Sequence, residues 1–160
     1  MYPLGHLGIG VHLIPRRLRD GLRWRWLALG CLLPDLIDKP WWLWQVTLAR
    51  PEATRLFGHT LVFCALLAVA ARLLRSSSLR AIGLGALTHV ALDFAGEILA
   101  GTAPIWKGWL LWPLFGWTFP VEGHAHPPPI SETAIYLAGE LAGAALLVWD
   151  FVQLRRARKR

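Results

Sequence analysis

Two short stretches, Leu33-Pro34-Asp35-Leu36-Ile37-Asp38 and Thr88-His89-Val90-Ala91-Leu92-Asp93, set metal-ligand residue types into an otherwise apolar chain. His89 and Asp93 are four residues apart, so a helix places them on one face, able to ligate one ion or two adjacent ones. Asp35 and Asp38 share a face if the helix runs past Pro34, and a carboxylate there can bridge two metals. His6 and His59 add two imidazoles. Imidazole and carboxylate together suit zinc, manganese or iron, with water in the open positions. A divalent cation in such a site lowers the pKa of bound water towards about 7 and polarises a scissile phosphoryl or acyl oxygen. The chemistry expected of His6, Asp35, Asp38, His59, His89 and Asp93 is therefore metal-assisted hydrolysis around one or two divalent ions, zinc or manganese.

Each residue also has a plainer explanation. Asp35 and Asp38 can cap the next segment or pair with Lys39; His59 can open a helix and face headgroups; His89 and Asp93 can simply hydrogen-bond. Glu97 continues their stripe and is either a general base or supporting group, or a solvated helix-end carboxylate. His124 and His126, in a proline-rich loop, can donate a proton or contact a phosphate, or belong to a plain surface loop. Glu140 lies among small residues that let helices approach closely, so it faces the bundle interior, to serve the site or as a structural group. His12 is read as structural, Asp150 as a partner of Arg155, and Cys31 and Cys64 as buried free thiols.

The elements that must position these groups are those of a membrane protein. The 160 residues are 55% hydrophobic and only 17% charged, with ten tryptophans and a mean hydropathy of +0.42. Leu56 to Leu74, Leu79 to Ala100 and Ile130 to Leu154 are each near the roughly 20 residues that cross about 30 Å of hydrocarbon. Tyr2 to Ile14 and Leu22 to Asp38 are shorter and form a tilted or partly inserted hairpin. The expected fold is all-α: one domain over residues 1–160, a polytopic membrane bundle of about five helices with interfacial segments. No cleavable signal peptide is expected, because no basic stretch precedes the first apolar run.

The net charge of +7 raises nucleic acid as a partner, but its placement argues against one. Thirteen of the seventeen Lys and Arg fall between the first two helices, around Ser76-Ser77-Ser78, or at the chain end. The positive-inside rule then puts the N-terminus outside and the C-terminus in the cytoplasm of a plasma (inner) membrane protein. Membrane lipids are the expected partners, with no nucleic acid. Trp41, Trp42, Trp44, Trp106, Trp109, Trp112 and Trp117 fall in the two outer connections, where indoles favour the headgroup level. With this topology the six candidate ligands converge on the outer side, although only Lys and Arg were used to set it. Ionisable groups at membrane depth are costly, and such convergence favours a functional site.

As a set and in this order, His6, Gly30-Cys31-Leu32-Leu33-Pro34-Asp35-Leu36-Ile37-Asp38, Gly58-His59-Thr60-Leu61, His89-Val90-Ala91-Leu92-Asp93 and Leu111-Trp112-Pro113-Leu114 resemble the membrane-bound metal-dependent hydrolases of the YdjM type, which are similar to zinc-dependent phospholipase C. The resemblance covers roughly residues 1–120. It implies a hydrolase with one or two metal ions, and an outer headgroup location makes a phospholipid or lipid-linked phosphate the expected substrate. The alternative is a non-catalytic membrane protein whose polar residues hold a structural metal or support a partner.

Overall fold

The computed structural model describes residues 3–19, 21–48, 53–100, 106–121 and 130–157. Among these it is all-helical, with seven α-helices and no strand. Five are longer: α1 (Pro3–Leu13), α3 (Trp24–Thr47), α4 (Leu61–Leu73), α5 (Ser77–Ala100) and α7 (Ile130–Ala157). Two are short, α2 (Arg16–Arg19) and α6 (Trp106–Leu110), and a 3-10 turn, Phe57–His59, precedes α4. The helices α5 and α7 are long and apolar enough to cross a membrane.

Helix α5 is central: α1, α3, α4, α6 and α7 all pack on it. Of its most apolar stretch 44% is buried, against 11% for α7, so α5 forms the core and α7 the periphery. Small residues set the two tightest crossings. A Cβ on Gly30 of α3 would collide with the Ile82 carbonyl of α5, and one on Gly143 of α7 would collide with the Leu4 carbonyl of α1. Close backbone approach of this kind is how membrane helices gain contact energy where apolar burial alone favours neither helix nor lipid. Apolar packing centres on Val11, Ile14, Leu27, Cys31 and Ala81 in one cluster and Cys64, Ala86, Val90, Trp109 and Leu110 in another.

Two expected boundaries shift, and one tryptophan changes place. The second helix does not stop at Asp38 but runs through Pro34 and Pro40 to Thr47, so Trp41, Trp42 and Trp44 are helical rather than part of a connection. A proline in a helix interior costs about 3 kcal/mol. Extensive packing of α3 on α5 and on the 3-10 turn offsets it. The third helix begins at Leu61 rather than Leu56, with Thr60 as its N-cap accepting from the Phe63 amide at 3.0 Å. At 13 residues it is about 20 Å long, short of a full crossing. Trp109, expected at the headgroup level, is fully buried, because its indole N–H finds an acceptor in the interior.

Candidate metal centre

The α5 stripe His89, Asp93, Glu97 repeats every four residues, and all three side chains are buried. The other groups come from three separate elements. Asp35 and Asp38 are one turn apart on α3; His6 sits near the start of α1; His59 ends the 3-10 turn.

Asp38 holds that turn in place. Its Oδ2 accepts from the Leu56 amide at 2.7 Å and from His59 Nδ1 at 2.7 Å, and its Oδ1 accepts from the Gly58 amide at 3.0 Å. A carboxylate on α3 thus satisfies two loop amides and fixes the ring of His59. His89 is fixed likewise: its Nδ1 donates to the Cys31 carbonyl at 2.7 Å. A carbonyl oxygen only accepts, so Nδ1 carries the proton and the Nε2 of a neutral His89 is left with its lone pair.

The two Nε2 atoms of His59 and His89 point at each other, 3.2 Å apart. Around them lie Asp35 Oδ1, 3.6 Å from His59 Nε2 and 3.9 Å from His89 Nε2, and Asp93 Oδ2, at 3.5 and 3.8 Å from the same atoms. Asp93 turns its other oxygen to His6 Nε2 at 3.3 Å, and the His6 ring stacks on His89 at 3.7 Å. Two overlapping groups of converging donors result, His6 with His89 and Asp93, and Asp35 with His59 and His89. These donors are nitrogen and carboxylate oxygen, the set that borderline divalent ions prefer. Burial opposes charge on the His59 ring, but hydrogen bonds to Asp35, Asp38 and Asp93 raise its pKa to about 10. This position calls for positive charge.

Five of the six expected ligands are therefore brought together: His6, Asp35, His59, His89 and Asp93. Asp38 lies behind His59, both oxygens committed to the turn and the ring. Glu97 lies one turn beyond Asp93 and outside both groups; its Oε1 takes Arg55 Nη1 at 2.9 Å and the Trp109 indole N–H at 3.2 Å. His124 and His126 lie outside the described residues. Glu140, read as facing the bundle interior, accepts from the Leu4 and Gly5 amides at 3.2 and 2.8 Å and so caps α1. A carboxylate there also meets the positive end of the helix dipole. His12 Nδ1 donates to the Gly8 carbonyl at 2.8 Å and its Nε2 lies 3.5 Å from Asp150 Oδ1, making His12 rather than Arg155 the partner of Asp150.

Sequence reasoning missed Arg55. Its Nε contacts Asp93 Oδ2 at 3.2 Å, its Nη1 reaches Glu97, and its guanidinium lies 5.3 Å from the centre of the Trp109 ring. The signal in the chain was its position four residues before His59, directly before the apolar pair Leu56-Phe57 that leads into the turn.

The chain matches the model of the YdjM inner membrane protein family over residues 1–157 and belongs to that family. Neither the curated proteins nor the solved structures give a match.

Proposed function

We propose that this protein is a membrane-embedded, metal-dependent hydrolase that cleaves a phosphoester of a lipid or lipid-linked substrate at the outer headgroup level. The observation that carries the reading is the facing pair of Nε2 atoms, each on a ring whose Nδ1 is already committed. Two Nε2 atoms at 3.2 Å beside two carboxylates need a positive charge between them; a proton on His59 supplies it in the metal-free protein, and a divalent cation that displaces that proton would meet both nitrogens and both carboxylates. Asp35, His59 and His89 supply three donors to one ion, with Asp93 Oδ2 beside them. His89 has a single free nitrogen, so a second ion would have His6 and Asp93 Oδ1 as donors and would be held more weakly. When bound, the ion supplies an acidic water and a Lewis acid for the phosphoryl oxygen.

The residues divide the remaining work. Asp38 and the Cys31 carbonyl hold the two rings in one tautomer and orientation. Arg55 holds Asp93 and neutralises Glu97, which makes Glu97 a positioning residue instead of a free general base. Asp35 is the open edge, its side chain 18% exposed where His59 and His89 are at most 1%, and a catalytic site needs such an edge. Lys39 stands at that edge, 3.4 Å from Asp35, and can receive a phosphate oxygen. The bundle is read as polytopic, N-terminus outside and C-terminus cytoplasmic, which sets this edge against the outer leaflet.

The test is metal analysis of protein purified without chelator, combined with assays on phosphomonoester and phosphodiester lipids. The reading expects hydrolysis that chelation and His59→Ala abolish and that zinc or manganese restores to the chelated wild type. Metal without turnover on any lipid would leave a structural site; absence of metal, with no uptake of zinc or manganese, would overturn both.

A further inference from the structure

A cleft of about 600 Å³ runs along the α4–α5 hairpin from Leu87 to Ser77, so its mouth lies about 18 Å along α5 from His89 at 1.5 Å per residue. That volume is in the range of small-molecule sites. Its walls are one face of each helix: Cys64, Ala68 and Ala71 from α4, and Gly83, Leu84 and Leu87 from α5. Its mouth is basic and polar, with Arg72, Arg75, Arg80, Ser76 and Ser77. The three arginines are exposed, and none has a carboxylate partner among the described residues.

Arg75 occupies an unusual backbone position. It follows the C-terminus of α4 with φ +48°, and its amide and that of Ser76 bond back to Arg72 and Ala71. Glycine is the usual residue at such a helix end, since a side chain is strained there. An arginine kept in that conformation holds a third positive group at the mouth.

We propose that this cleft binds an anionic phospholipid of the adjacent leaflet, its phosphate among Arg72, Arg75 and Arg80 and one acyl chain along the groove that α4 and α5 line. Charge complementarity selects this occupant: the walls are apolar, and the rim carries three unmatched positive charges at a helix end. The site is separate from the metal cluster and does not depend on it.

The experiment is native mass spectrometry of the full chain in neutral detergent, titrated with phosphatidylglycerol or phosphatidylcholine, with inorganic phosphate as competitor. Wild-type protein should bind phosphatidylglycerol at least tenfold more tightly. Each arginine near a membrane surface contributes about fivefold to anionic lipid binding, so Arg72→Gln/Arg75→Gln/Arg80→Gln together should cost on the order of a hundredfold. Arg75→Gly separates binding from folding: it relieves the strained conformation, so its unfolding temperature should hold or rise while affinity falls about fivefold. Ala68→Leu should weaken both lipids by filling the cleft. Equal affinity for the two lipids, a preference that survives the triple substitution, or displacement by millimolar phosphate would overturn the proposal. So would a dimer that excludes lipid, since the cleft would then hold a second copy of the chain.

Discussion

Replacing Asp38 and Asp35 by asparagine should produce different phenotypes, although the two aspartates are one turn apart on α3. Asp38 accepts three hydrogen bonds in a site only 1% exposed. Asparagine has one carbonyl oxygen. Kept at the Oδ2 position, it retains the Leu56 amide and His59 but turns its NH2 against the Gly58 amide. A buried donor left without an acceptor costs about 1–3 kcal/mol. The two retained bonds lose their charge assistance, which roughly halves them, about 1 kcal/mol each. Asp38→Asn should therefore destabilise the metal-free protein by about 3–5 kcal/mol, a large part of a typical 5–15 kcal/mol. It should also weaken metal binding 10- to 100-fold by releasing the His59 ring. Asp35 makes no such backbone bonds and contacts Lys39 and the two imidazoles, so Asp35→Asn should lose metal while costing the metal-free protein less stability than Asp38→Asn does. Unfolding of chelated samples followed by circular dichroism, and metal retained against graded chelator, measure the two effects separately. Equal stability of Asp38→Asn and wild type, or a greater loss of stability in Asp35→Asn, would refute the division of labour between the two carboxylates.

Other outcomes test other parts. His89→Ala or Asp93→Ala should strip most of the metal from purified protein, as elemental analysis would show. A cysteine introduced by Ser76→Cys should resist labelling by an impermeant maleimide added to intact cells, and labelling from outside would reverse the topology. Gly143→Leu should undo the docking of α7 on α1, because its Cβ has no room beside the Leu4 carbonyl, and a lower unfolding temperature would record it. The His59 ring is raised from 6.5 to about 10, so its contribution to stability is complete below pH 6.5 and is lost as pH rises to about 10. Chelated wild type should lose stability across that window and His59→Gln should lack the slope; metal affinity should instead rise with pH, because the ligands must be deprotonated.

Apolar run lengths made the longer helices readable from the chain, since hydropathy operates locally. What escaped was decided by contacts distant in sequence. Pro34 and Pro40 signal a helix end to any local reading, and only the packing of α3 on α5 carries the helix through them. Trp109 belongs by composition with the interfacial tryptophans, yet Glu97, twelve residues earlier, gives its N–H a buried acceptor. Spacing likewise put His89 and Asp93 on one face and Asp35 with Asp38 on another. It could not say that the two α3 carboxylates would approach opposite nitrogens of one ring, Asp38 at Nδ1 and Asp35 at Nε2.

That arrangement bears on what the cluster can do. The stripe His89, Asp93, Glu97 is uniform in spacing, so nothing along α5 itself distinguishes a ligand from a supporting group. Arg55 makes the distinction from another segment, taking Glu97 as a full ion pair while touching only one oxygen of Asp93. Asp93 Oδ1 stays turned towards His6, and its other oxygen still faces His59 and His89. The guanidinium also offsets the charge of two buried carboxylates, whose desolvation would otherwise cost several kcal/mol each. Arg55→Gln should then release Glu97 and leave two buried anions unbalanced. If Arg55 served only as a surface charge, that substitution would leave both the unfolding temperature and the metal content at wild-type values. The buried geometry predicts a loss in both, with the added observation that Arg55→Lys restores little, because a single ammonium cannot span Asp93 and Glu97 as the guanidinium fork does.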